Sequence, residues 1–227
     1  MKQTTLHTFT PNFKLHGNIF HDNEFEITDE MIKNEPMFFS CDALFTQKEG
    51  KTITKFVTDQ LCKILPSHMM PLLSKAVIDS RSHMLMPGFY PCIPGWHHDD
   101  VPRSRKDGQP NYINPEYHSE HLLIVIGKTA MPQFLRSTIV LPDIPEGRTI
   151  YQAWDRIINA AESDDNFYTV GSGDIYQFDW QTFHRGMPAK LHGWRYFIRF
   201  SWNTERKVLN EIRNQVQCYI ADPSIGW

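Results

Sequence analysis

The chain has 227 residues, 41% of them hydrophobic and 22% charged, the make-up of an ordinary globule that can bury a core without disulfide staples. A formal net charge of −3 and a pI of about 6.4 argue against a general nucleic-acid binder, which carries a basic face. Cys41, Cys62, Cys92 and Cys218 form no CxxC pair and read as reduced, mostly buried thiols of an intracellular protein. The first residues, MKQTTLHTFTPNFKLHG, lack an apolar stretch, and no run approaches the roughly 18 apolar residues of a membrane span. The expected place is the cytoplasm, with no membrane partner.

Taken in chain order, the expected organisation is one domain over 1–227. Residues 1–80 form a helical or irregular flank, 81–203 a β core with a helical insert at 149–163, and 204–227 a C-terminal helix and tail. In TITKFVTDQLCKIL (52–65), Ile53, Phe56, Val57, Leu61 and Ile64 recur at helical spacing, and Pro66 ends that helix. HMMPLLSKAVID (68–79) reads as a second helix, since a proline is tolerated in a first turn.

From residue 82 the texture becomes extended, with three prolines and two glycines among aromatics in HMLMPGFYPCIPGWHH. HLLIVIG (121–127), TAMPQFL (129–135) and STIVLP (137–142) are strand candidates. TIYQAWDRIINAAES (149–163) returns to helical spacing. NFYTV, the turn GSG and DIYQFDW read as a strand pair, WRYFIRFSW (194–202) as a strand, and ERKVLNEIRNQV (205–216) as an amphipathic helix. Helices at the ends and many short strands between them point to a mainly β fold with flanking helices (α+β), a sandwich or jelly roll. No GxGxxG or GxxxxGK[ST] loop is present, so nothing supports a nucleotide-phosphate cradle.

The densest chemistry is in Trp96-His97-His98-Asp99-Asp100. Residues two apart on a strand face one side, so His97 and Asp99 can meet one point, as can His98 and Asp100. Imidazole nitrogen with carboxylate oxygen suits a divalent ion such as Fe(II), and a third imidazole would complete a facial triad with three open positions. His184, in TFHRG after a β run, is the best third ligand. Arg195 and Arg199 share one face of WRYFIRFSW. A guanidinium among aromatics there needs either a protein carboxylate or a bound acid, which it can grip with two parallel hydrogen bonds.

The stretches WHHDD, GDIYQFDWQTFHRG and GWRYFIRFS resemble the Fe(II)/2-oxoglutarate dioxygenase superfamily with its HxD…H…R signature. The resemblance runs from about residue 84 to 202 and does not extend over 1–80 or 204–227. It implies a double-stranded β-helix core, a cupin-like jelly roll, with His97, Asp99 and His184 as metal ligands and catalytic centre. Arg195, or its neighbour Arg199, would bind the far carboxylate of 2-oxoglutarate. The family often has Ser or Thr two residues after that arginine, where this chain has Phe197; Tyr90 or Tyr176 would then supply the missing hydroxyl. An aromatic directly before the first histidine, as Trp96 is, favours the His97/Asp99 register over His98/Asp100. The implied reaction consumes 2-oxoglutarate and O2 with Fe(II), releases succinate and CO2, and hydroxylates a small organic substrate. Residues 101–120 read as a loop that shapes the substrate mouth, where Arg103 and Arg105 would meet an anionic substrate. The alternative is a catalytically silent or cupin-like jelly roll that binds a metal or ligand.

Overall fold

The computed structural model describes residues 5–21, 25–145, 147–161 and 163–221. In chain order the elements are β1 (Leu6–Phe9), β2 (Phe13–Asn18), α1 (Asp29–Asn34), β3 (Met37–Phe39), α2 (Ala43–Glu49), α3 (Thr52–Ile64), α4 (Met70–Ser74), β4 (Val77–Leu85) and β5 (Phe89–Tyr90). After a long irregular stretch come β6 (Glu120–Gly127), β7 (Gln133–Leu135), β8 (Ile139–Pro142) and α5 (Ile150–Ala161). The chain continues through β9 (Phe167–Thr169), β10 (Asp174–Asp179), β11 (His184–Arg185), β12 (Gly193–Trp202), β13 (Glu211–Arg213) and β14 (Tyr219–Ile220). The protein is therefore mainly β. Among the described residues, no helix is long and apolar enough to cross a membrane.

The central sheet has five strands in the order β2-β10-β6-β12-β4, all paired antiparallel. Its middle strand β6 is apolar at successive positions because both of its faces are covered. Leu122, Ile124 and Ile126 pack with Ile53, Val57 and Leu61 of α3, while Leu123 and Val125 pack with Phe134, Tyr176 and Phe178. The second layer is a three-stranded sheet, β11-β7-β9. Behind it, α5 buries Trp154 and Ile158 with Phe9, Leu141, Trp96 and Phe183.

The helix expected at 52–65 is α3. Its first turn is held by a side chain distant in sequence: the buried Glu35 carboxylate accepts from the amides of Lys51 (2.9 Å), Ile53 (3.0 Å) and Thr54 (3.0 Å). An anion there satisfies otherwise orphaned donors and complements the positive end of the helix dipole.

Three expected elements differ. The helix expected over 68–79 is cut to α4, and Val77, Ile78 and Asp79 instead begin β4; nine consecutive positions pair with β12, so ladder bonding and β-branched packing override local helical spacing. The helix expected at 205–216 is absent. Val208, Leu209 and Ile212 are 45%, 49% and 42% exposed, so its apolar stripe has no core to face. The amides of Leu209 and Asn210 donate to the Ser40 carbonyl, and β13 pairs with β3. The tail beyond 221 lies outside the described residues. Finally, 167–179 is no hairpin: β9 pairs with β7, whereas β10 pairs with β2 and β6. The Gly171-Ser172-Gly173 turn carries the chain from one layer to the other. Among the cysteines, all free, only Cys41 is buried; Cys62 is exposed, and Cys92 and Cys218 are intermediate.

Gly173 has φ +81°, and a Cβ on it would stand 2.5 Å from the Phe20 ring. The Gly173→Ala variant is expected to lose about 1–3 kcal/mol, the usual cost of a non-glycine held in that conformation, as a lower denaturant midpoint.

Candidate metal centre

His97 and His184 form an isolated bridge beyond β11. Each backbone amide donates to the other's carbonyl at 3.0 Å, which adds residue 97 to the edge of the three-stranded sheet. Trp96 fixes the approach: its amide donates to Asp155 (2.8 Å) and its indole nitrogen to Asn159 (3.1 Å), both on α5. The two imidazole rings lie 4.6 Å apart between centroids, and His184 Nε2 is 3.3 Å from Asp99 Oδ2. Among the described residues, His97, Asp99 and His184 form the group that could hold a metal ion, with ligand atoms all within 4.8 Å of one another.

The hydrogen bonds behind the rings select their tautomers. His97 Nδ1 lies 2.9 Å from the Gly95 carbonyl and His184 Nδ1 lies 3.1 Å from the Thr182 carbonyl. A carbonyl only accepts, so Nδ1 must carry the hydrogen in each ring. Nε2 is then the free lone pair, as a metal ligand requires. Burial and the neighbouring His184 push His97 down to about 4, so its ring is neutral at physiological pH. Burial tends to raise the Asp99 pKa, but Arg199 and His184 outweigh it and hold the carboxyl well below the ordinary 3.8. The set is two imidazoles and one carboxylate.

The competing register points elsewhere. His98 is buried with Nδ1 2.7 Å from the Tyr112 hydroxyl and its ring 3.7 Å from that of Phe183. Asp100 has φ +50° and accepts from the Tyr117 hydroxyl at 3.1 Å. Nearby His121 lies between Ser119 and Ser201, and His118 stacks on Trp180.

Facing the triad is the central sheet's edge. Antiparallel register sets His83 opposite Arg195, Arg81 opposite Phe197 and Asp79 opposite Arg199, so all six side chains share one face. The opposite face of β12 carries Tyr196, Ile198 and Phe200 into the helix-covered core. The six residues and the triad enclose a cavity of about 140 Å³.

The two arginines of β12 differ. Arg199 donates to Asp99 and lies 3.6 Å from Asp79, which also accepts from Arg206 at 2.5 Å. Arg195, buried, donates Nε to the Ala130 carbonyl at 3.1 Å and meets no carboxylate among the described residues. Burial lowers it to about 10, with the nearby Arg81 adding to the effect; it remains a cation at neutral pH.

The other expected site residues scatter. Arg103 is exposed, donates to the Gly108 carbonyl and lines a second cavity, of about 300 Å³, that also reaches His97 and Asp99. Arg105 turns away to Asp107, Asp143 and the Ile144 carbonyl. Tyr176 is buried against Phe134 and Tyr90 pairs with Tyr219; neither lines either cavity. Asp79, Arg81 and His83 were missed. Their signal is an ionisable side chain at every second position from 79 to 83 in VIDSRSHML, of which the helix expected over 68–79 covers only Asp79.

Burial tends to raise the Asp79 pKa, but the Arg206 hydrogen bond and the Arg199 and Arg206 charges bring it below 3.8. Its stabilising contribution is therefore complete above the ordinary carboxylate value and lost as pH falls through the lower folded-state value. The Asp79→Asn variant is expected to lose stability less steeply than the native protein on acidification below pH ~4, as followed by urea unfolding across pH.

In comparisons with known proteins, the chain matches no family model, no curated protein and no solved structure.

Proposed function

We propose that the protein is a non-haem Fe(II) oxygenase that uses 2-oxoglutarate and O2, and that its two facing sheets are the core of a double-stranded β-helix. The observation that carries this reading is a triad of two Nε2 lone pairs and a carboxylate beside a buried arginine that has no carboxylate partner among the described residues. Two imidazoles and one carboxylate are the donor set of mononuclear Fe(II) oxygenases, which leave coordination positions open. A buried guanidinium without an acid is costly unless a ligand supplies one.

Each residue has a task in this reading. His97, His184 and Asp99 hold the metal. Arg199 keeps Asp99 ionised and oriented, with Asp79 and Arg206 behind it. Arg195 grips the far carboxylate of the cosubstrate, the role for which Arg199 is disqualified by its two acids. Phe197, Leu123 and Pro132 line the cavity and limit the water that reaches it. When bound, iron and 2-oxoglutarate supply the oxidative chemistry, with succinate and CO2 as co-products of hydroxylating a small organic substrate.

Anaerobic addition of Fe(II) and 2-oxoglutarate is expected to give a weak visible charge-transfer band, absent from His97→Ala. A protein that takes up the metal yet shows no band and releases no succinate in air would be a metal-binding jelly roll, and the oxygenase reading would fail.

A further inference from the structure

Arg81 is a second guanidinium on the site face without a counter-ion among the described residues. It is half-buried on β4, opposite Phe197 and between Asp79 and His83 in the strand's alternation. Asp79 is already engaged by Arg199 and Arg206. Among the described residues Arg81 makes no ion pair with a carboxylate. Its charge instead disfavours those of its neighbours Arg195, Arg213 and His83.

The charge inventory points the same way. The inner cavity is lined by four guanidiniums (Arg81, Arg185, Arg195, Arg199) against two carboxylates (Asp79, Asp99). A divalent metal and a dicarboxylate cancel each other, so binding both leaves the excess of two positive charges in place. Arg185 is occupied by Gln133 and Asn159 and lies over the Trp96 ring. Arg195 is taken by the cosubstrate. Arg81 is the cation left over, and it also lines the outer cavity, where Arg103, Tyr151 and Tyr219 stand beside His97 and Asp99. That cavity has the dimensions of a small-molecule site, and its lining includes two tyrosines, the two arginines Arg81 and Arg103, and the carboxylates Asp99 and Asp100.

We infer that the second substrate is a small anion, bearing a carboxylate or a phosphate that Arg81 binds with help from Arg103, and that it occupies the outer cavity beside the metal. The inference rests on the oxygenase reading for the assignment of the inner cavity. Guanidinium suits either anion, since both accept two parallel hydrogen bonds.

The test is calorimetric titration of the full chain, saturated with Mn(II) and 2-oxoglutarate without oxygen, using inorganic phosphate, benzoate and benzylammonium as probes. One or both anions should bind, more weakly as salt rises, and about ten-fold or more weaker to Arg81→Gln. Arg81→Lys should lie between, and benzylammonium should not bind. The stronger of phosphate and benzoate identifies the anion. Anion binding that is absent, or equal in native and Arg81→Gln proteins, would overturn the inference. If 2-oxoglutarate fails to bind, the oxygenase reading falls. Arg81 is then judged in an Arg195→Gln background, where anion binding should persist and disappear on adding Arg81→Gln; binding that never depends on Arg81 refutes it there too.

Discussion

The His184→Ala variant should bind Mn(II) or Co(II) at least ~100-fold more weakly than the native protein. Loss of a partner that only orients a ligand costs roughly 10–100-fold in affinity, and here a ligand itself is removed. The backbone bridge between residues 97 and 184 uses amides and carbonyls only, so the truncation leaves the β11 edge in place and deletes one lone pair. Calorimetry against each metal reads the effect directly. His118→Ala is the matched control, because His118 is exposed and stacks on Trp180 away from the triad. Equal metal affinity in His184→Ala and native protein would remove the triad from the functional account.

The second large effect is on stability. Arg199→Met should cost about 3–5 kcal/mol, the range for removing one partner of a buried ion pair and leaving its charge uncompensated. Arg199 serves two carboxylates, and the side chains involved are 15% (Arg199), 25% (Asp99) and 5% (Asp79) exposed, too enclosed for water to replace the cation. Methionine keeps much of the volume, so lost charge rather than a cavity dominates. Denaturant unfolding at pH 7 measures the loss. Asp79 keeps Arg206 in this variant, so the uncompensated charge is chiefly that of Asp99, and adding Asp99→Asn to Arg199→Met should recover part of the loss. A cost under about 1 kcal/mol, the level of an exposed pair, would show that the network is solvated.

The legible and illegible parts of the candidate site divide by range. Alternation of side chains on extended backbone paired His97 with Asp99 and equally His98 with Asp100; the choice between them rested on the family resemblance, in which an aromatic such as Trp96 precedes the histidine. The roles of Arg195 and Arg199 were not legible, since sequence places both on one face of β12 and only the fold supplies Asp79 and Asp99 to one of them. Tyr90 and Tyr176 were reasonable hydroxyl donors by type, yet Tyr176 stacks on Phe134 in the core and Tyr90 pairs with β14. Arg105 reads like Arg103 in sequence, but Asp143, 38 residues away, captures it. The segment 205–216 has genuine helical spacing and no surface to bury it against.

By itself the sequence determined the elements whose periodicity is strong and self-consistent: α3, α5, β6 and β12, and with them a mainly β chain carrying a histidine–carboxylate motif. These are local properties, set by which side chains repeat at 3.6 or at 2 residues. The tertiary structure alone decided which strands share a sheet, which acids meet which arginines, and which cations are left without one. Such pairings join residues a hundred or more positions apart, as Asp99 and Arg199 or Asp79 and Arg206 are, and no local pattern encodes the partner that a charge will find across a packed interface.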